Sequence, residues 1–144
     1  MNREEIKNIL PHREPMLLVD EVVLNEDKSA TGYYKVRGDE FFLEGHFPGN
    51  KIVPGVILCE IMAQSACVMF KEKLKGKNEL PLYTGLNKVR FKKSVVPGDS
   101  IRIDTTLLRE CHPLYHLKGK VSVDGKLCAS GEFSFAIMEK QESD

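Results

Sequence analysis

From Val56 to Phe70 the chain reads VILCEIMAQSACVMF, a run with one charged side chain, Glu60, and two other polar ones, Gln64 and Ser65. No face of a helix built from this run is suited to water, so the rest of the chain must enclose it on nearly all sides. That requirement selects a sheet curved around a helix over a flat sheet with a helix laid on it. The same run makes Glu60 conspicuous, because a carboxylate is costly in such surroundings unless it is paired, hydrogen-bonded or protonated. Its helical neighbours at three and four residues are Val56, Ile57, Ala63 and Gln64, none of them a cation. A partner has to come from elsewhere. The obvious candidate is His46, in the turn-like stretch Gly45-His46-Phe47-Pro48-Gly49 that leads into the helix.

The remaining sequence supplies the enclosing sheet. Asn2 to Leu10 forms a short helix stopped by Pro11. Leu17 to Val23 and Ala30 to Val36 read as strands around a turn at Asn25 to Lys28. Pro54-Gly55 opens the central helix, which spans about 55–75, turns polar at Lys71-Glu72-Lys73 and ends near Gly76. Strands follow at Leu82 to Phe91, Ser100 to Glu110, Tyr115 to Val123 and Lys126 to Met138, with turn signals at Pro97-Gly98-Asp99 and Asp124-Gly125. A polar tail covers 139–144. The sum is one α+β domain over 1–144, about six mostly antiparallel strands around one long helix.

Composition narrows the function classes. Net charge is zero, so the molecule as a whole is no general polyanion binder, and no nucleic-acid motif is present. No apolar run has the length of a membrane span, and MNREEIKNIL has no apolar core of a signal peptide, so residence in the cytoplasm is the simplest reading. Cys59, Cys67, Cys111 and Cys128 form no C-x-x-C pair and read as free structural thiols. Cys111-His112 with His116 is a poor metal site, since Pro113 intervenes and no fourth ligand is apparent; no metal is expected.

Three stretches then carry a resemblance. LPHREPMLLVD (Leu10 to Asp20), FFLEGHFPGNKIVPGVILCEIMAQ (Phe41 to Gln64) and VRFKKSVVPGDSI (Val89 to Ile101) resemble, in order and spacing, signatures of the bacterial 3-hydroxyacyl-acyl carrier protein dehydratases of type II fatty acid synthesis. The resemblance runs from about residue 3 to 138. It implies the hot-dog fold, a homodimer commonly assembled into a hexamer (a trimer of dimers), and no cofactor. It places the family's catalytic histidine at His46 and its glutamate at Glu60, and implies that the two meet across the dimer interface. Glu14, Lys51, Ile61 and Ser94 depart from the family pattern, at positions bearing on loop rigidity and tunnel shape. The related dehydratase–isomerase group carries aspartate at the position of Glu60.

Dehydrating a 3-hydroxyacyl thioester needs a base at C2, an acid for the departing C3 hydroxyl, and a donor to the thioester oxygen. His46 fits the base, since imidazole ordinarily titrates near working pH. Glu60 fits the acid, since burial favours the neutral, donating form of a carboxyl. The backbone N–H of Gly55, in the free first turn of the helix, fits the oxyanion donor. Gln64 either fixes the Glu60 carboxyl or bonds a loop carbonyl. His12 reads as structural. Phe42, Phe47 and Phe91 line an acyl tunnel or the core. Between Lys71 and Lys93 there are eight Lys or Arg and two Glu; Lys88, Arg90 and Lys92 alternate along one strand face, and with Lys93 they form either a solvated face or a dock for acidic acyl carrier protein. A hot-dog thioesterase, a dehydratase that also isomerises to the cis-3-enoyl product, and a hot-dog domain that only binds acyl chains remain as alternatives.

Overall fold

The computed structural model describes residues 1–74 and 78–140. Its elements run α1 (Arg3–Lys7), β1 (Glu21–Leu24), β2 (Ala30–Lys35), a 3₁₀ turn at Phe41–Leu43, α2 (Gly55–Cys67), a second 3₁₀ turn at Val68–Phe70, α3 (Lys71–Leu74), β3 (Glu79–Phe91), β4 (Ser100–Cys111), β5 (Leu114–Val123) and β6 (Lys126–Glu139). The six strands make one antiparallel sheet in the order β1-β2-β4-β5-β6-β3. The sheet curls around α2, which touches β2, β3, β4, β5 and β6. This is the curved sheet around a helix expected from the sequence, and the hot-dog arrangement that the resemblance implies.

The enclosure of α2 follows from its composition. Ile61, Met62 and Ala66 have no exposed surface, and they share one core cluster with the inward residues of the strands, Ile103 on β4, Tyr115, Leu117 and Val121 on β5, and Phe133 and Phe135 on β6. Two glycines let the helix come close. A Cβ on Gly119 would lie 2.8 Å from the Met62 sulfur, and one on Gly32 would collide with the Ser65 hydroxyl. Asp124 and Gly125, with φ of 50° and 77°, supply the left-handed pair that a tight β5–β6 hairpin needs.

Several elements differ from the sequence expectation. The N-terminal helix is shorter than 2–10: Asn2 caps it in a reciprocal box with Glu5, and it ends at Lys7. Leu17 to Val19 are buried but are not strand, because their backbone groups are taken by side chains; Leu18 N–H goes to Gln64 Oε1, and the Leu17 and Val19 carbonyls to Arg3. The central helix tightens at Val68–Phe70, where Lys71 N–H bonds Val68 O three residues back. That tightening sets the Phe70 ring 4.7 Å from Tyr115 and 5.3 Å from Phe135, measured between centroids. The expected helix end near Gly76 and the last four tail residues lie outside the described residues.

The edge strand β3 is irregular. Its register with β6 shifts between Tyr83 and Gly85 and again between Asn87 and Arg90, where Lys88 has φ 53°. The strict alternation expected of Lys88, Arg90 and Lys92 is therefore broken, and Lys92 lies past the end of the strand. This thirteen-residue strand ends the sheet, with one edge unpaired among the described residues, and exposes Leu82, Leu86 and Phe91 by half or more. A long apolar edge of this kind is the part of a sheet that pairs with another chain.

Candidate active site

The loop after β2 is built to hold an imidazole. Phe42 and Leu43 are buried and anchor the first 3₁₀ turn, and His46 N–H bonds the Leu43 carbonyl at 3.2 Å. The His46 carbonyl accepts from Ile52 N–H at 2.9 Å, and its Nδ1 lies 2.8 Å from the Ile52 carbonyl. A carbonyl can only accept, so Nδ1 carries a proton and Nε2 of the neutral ring keeps its lone pair. Phe47 stacks on the ring at 4.0 Å. Lys51, one of the departures, spans the loop by donating to the Gly38 carbonyl at 2.7 Å.

His46 lines a cavity of about 560 Å³ together with Pro54, Gly55, Phe91, Lys92 and Lys93. Gly55 is the first residue of α2, and the earliest N–H groups of that helix to reach a backbone carbonyl are those of Ile57 and Leu58, both on Pro54 O. The Gly55 N–H therefore has no carbonyl within the helix. A Cβ at this position would press within 2.8 Å of the Phe91 ring, so glycine is also needed for packing. Of the three phenylalanines, Phe42 is core, Phe47 covers His46, and Phe91 lines this cavity.

Glu60 lines a second cavity, of about 220 Å³, together with His12, Gln64, Cys67, Tyr83 and Phe135. Within one chain the carboxylate meets His12 and not His46. His12 Nε2 is 3.3 Å from Glu60 Oε2, and Gln64 Nε2 donates to the same oxygen at 2.9 Å. Both readings of Gln64 hold together. Its amide, 1% exposed, also donates to the Met16 carbonyl and accepts from Leu18 N–H. Gln64 thus ties the N-terminal segment to α2, and Arg13 stiffens that segment by donating to the carbonyls of Lys7, Leu10 and His12. Burial pushes the Cys67 thiol and the Tyr83 hydroxyl far up, and Tyr83 gives its hydrogen to the Cys59 carbonyl. Neither group competes as an acid near neutral pH.

Glu14, another departure, belongs to the same clamp. Its own backbone N–H, then Arg3 and Lys7, hold its carboxyl down at about 2 from an ordinary 4.5. A depressed carboxyl stabilises the fold above its ordinary value and loses that contribution as pH falls through the depressed one. Glu14→Gln should therefore lower the melting temperature at pH 6, with the difference from wild type vanishing as pH drops from about 4.5 to about 2. A difference that is constant over this range in a thermal melt series would show that the charge is not what stabilises.

The sequence-expected residues therefore fall into two groups. His46, Gly55, Lys92 and Lys93 share one cavity; Glu60 and Gln64 share the other. Lys88 lies apart, 3.6 Å from Glu132, and Arg90 pairs in register with Ser130. His112 stands at the β4–β5 hairpin, its Nδ1 3.2 Å from the Tyr115 hydroxyl. Sequence reasoning missed His12 as a partner of Glu60. Its signal was the LPHRE stretch itself, whose other polar residues turn out to fix the segment that delivers it. Nothing in the sequence pointed to Tyr83.

Comparison with known proteins extends these observations. The FabA-like domain family matches residues 10–132. A 3-hydroxyacyl-acyl-carrier-protein dehydratase FabZ of Clostridium perfringens is 41% identical over 137 residues, which is 95% of this chain and 99% of that protein. The FabZ of Bacillus cytotoxicus is 39% identical over 143 residues, 99% of each. Among solved structures, the dehydratase heterocomplex ApeI:P from Xenorhabdus doucetiae superposes with a TM-score of 0.78 over 95% of this chain and 91% of its own, at 23% identity, a likeness of fold. With a FabA-like match over most of its length and FabZ relatives near 40% identity from end to end, the chain belongs to the FabA-like family, among its FabZ-type dehydratases.

Proposed function

We propose that the protein dehydrates (3R)-3-hydroxyacyl-acyl carrier protein to the trans-2-enoyl form in fatty acid synthesis, with His46 as base, Glu60 as acid and the Gly55 N–H on the thioester oxygen. The observation that carries this reading is the imidazole whose Nδ1–H is spent on the Ile52 carbonyl, so that Nε2 is the free base, in one cavity with the first turn of α2. Identity near 40% to FabZ dehydratases supports the substrate class. The base takes a C2 proton onto Nε2 while charge gathers on the thioester oxygen at the Gly55 N–H. The C3–O bond then breaks as Glu60 hands its proton to the hydroxyl, and water leaves with the C2–C3 double bond formed. His46 has gained one proton and Glu60 has lost one, and solvent restores both.

The two cavities belong to one site when two chains pair. β3 contributes Tyr83 to the Glu60 cavity and Phe91 to the His46 cavity. These positions are eight residues apart, roughly 26 Å along an extended strand. A second copy added antiparallel along the free edge of β3 brings the Phe91 end of one chain to the Tyr83 end of the other. The homodimer is thus the unit that joins His46 to Glu60 of the partner subunit, and further assembly into a hexamer is what the family resemblance implies. Lys92 and Lys93, which line the His46 cavity, offer the acidic carrier protein an opposite charge, and Arg90 precedes them at the end of β3, whereas Lys88 is engaged by Glu132.

The test is hydration of trans-2-butenoyl carrier protein, the reverse reaction, followed by loss of enoyl absorbance with free thiol monitored in parallel. Signal loss without thiol is expected. Thiol release would identify a thioesterase, and no turnover with several chain lengths would leave an acyl-binding domain. In the same assay Arg90→Glu with Lys92→Glu should raise KM for the carrier protein; an unchanged KM would remove these residues from the dock.

A further inference from the structure

The Glu60 carboxyl is held asymmetrically. Gln64 Nε2 and His12 Nε2 both approach Oε2, at 2.9 and 3.3 Å, whereas Oε1 has no hydrogen-bond partner among the described residues. The Gln64 amide is fixed in its orientation, because its oxygen faces an N–H, of Leu18, and its nitrogen faces a carbonyl, of Met16. What Gln64 offers Oε2 is therefore a donor.

His12 offers a donor as well. Its Nδ1 is buried with no partner among the described residues. If Nε2 of a neutral ring accepted a hydrogen bond from the Glu60 carboxyl, the ring would have to carry its hydrogen on Nδ1, where that N–H would be orphaned in the interior. Orphaned buried N–H groups are the rarer and costlier kind of unsatisfied group. The tautomer with hydrogen on Nε2 avoids this and leaves only a lone pair unsatisfied. Oε2 then receives two N–H donors and is the carbonyl-type oxygen of the acid.

We infer that His12 is a positioning residue: with Gln64 it pins Oε2 of Glu60, so that Oε1 is the oxygen that carries the acidic proton and delivers it to the departing hydroxyl. This rests on the reading of Glu60 as the acid. The other titratable groups facing Glu60 leave Oε1 free. On β3 the Tyr83 hydroxyl is spent on the Cys59 carbonyl, and on α2 burial keeps the Cys59 and Cys67 thiols protonated. The support behind His12 is rigid. Arg13 holds the His12 carbonyl at 2.7 Å, and buried Leu10 anchors the segment two residues before it. A ring held this way fixes the carboxyl plane before substrate arrives, which is where a displacement of about 1 Å costs on the order of a hundredfold in rate.

The experiment compares His12→Leu, similar in bulk but without a donor, with His12→Gln, whose amide nitrogen reaches the place of Nε2. Each is made in wild type and in Glu60→Gln, and kcat and KM are measured for dehydration. His12→Leu should lower kcat about a hundredfold with KM within about twofold, and His12→Gln should recover to within about fivefold of wild type. In the Glu60→Gln background, His12→Leu should add less than about a further twofold, since both changes act through one carboxyl. Wild-type kcat in His12→Leu, equal losses in His12→Leu and His12→Gln, or an undiminished loss in the Glu60→Gln background would each overturn the inference. Wild-type turnover in Glu60→Gln alone would instead overturn the acid assignment on which it rests. If His12→Leu does not fold, His12→Asn replaces it, because its amide reaches only the place of Nδ1; recovery with asparagine equal to that with glutamine would count against the inference.

Discussion

Replacing His46 by alanine, or Glu60 by glutamine, is expected to lower kcat by roughly a thousandfold, about 4 kcal/mol in the barrier, while the protein stays folded. The expected loss is large because, in the proposed reaction, each residue moves a proton in the step that expels water. Around His46 the cavity is lined by aliphatic and aromatic side chains with Lys92, Lys93 and Ser94, and among the described residues it holds no second imidazole and no carboxylate. Around Glu60 the thiol of Cys67 and the hydroxyl of Tyr83 are pushed too far up to donate in its place. The fold survives because neither change opens the core. His46 sits in a loop held by backbone bonds between Leu43, His46 and Ile52. A glutamine at position 60 keeps an oxygen for Gln64 and His12 to hold. Turnover with circular dichroism checks both halves, and near-normal turnover in either variant would remove that residue from the chemistry.

Mixing the two inactive variants is expected to restore activity to about a quarter of the wild-type level. If each site is shared across the dimer as proposed, a dimer of one His46→Ala chain and one Glu60→Gln chain has one site with both native residues and one with neither. Random exchange puts half the chains into such mixed dimers, and half of their sites are intact. The geometry behind this is the separation of the cavities within a chain, with Glu60 facing its own His12 and His46 facing its own Ile52. If each site were complete within one chain, mixing would restore nothing. The measurement is turnover after co-refolding or subunit exchange, with sedimentation confirming the dimer.

Much of the architecture is legible in the linear pattern. A helix apolar on all sides required a sheet around it, and Ile61, Met62 and Ala66 are indeed sealed against β4, β5 and β6. Period-two alternation located β4, β5 and β6 to within a residue or so of their ends, because burial alternates along β5, along the first half of β4 and through the middle of β6. Strand β3 was harder. Its bulges break the alternation and its exposure is high on both faces, so the basic row drawn through Lys88, Arg90 and Lys92 did not survive. The first strand was placed too early for a related reason. Leu17 to Val19 are as apolar as any strand, but side chains of Gln64 and Arg3 take the backbone bonds that a neighbouring strand would have used.

By itself the sequence determined the helix, the sheet that must enclose it, and which ionisable residues stand out as too expensive to be incidental. Those are consequences of local composition and spacing, and they hold whatever the chain ends touch. Only the tertiary structure decided whom those residues meet. Glu60 meets His12 because Arg13, Glu14 and Gln64 fold the N-terminal segment back onto α2, a contact across 48 residues that no periodicity encodes. The gap between the His46 and Glu60 cavities is likewise a property of where β3 lies in the sheet, and pairing order among strands is set by long-range packing that a linear pattern does not contain.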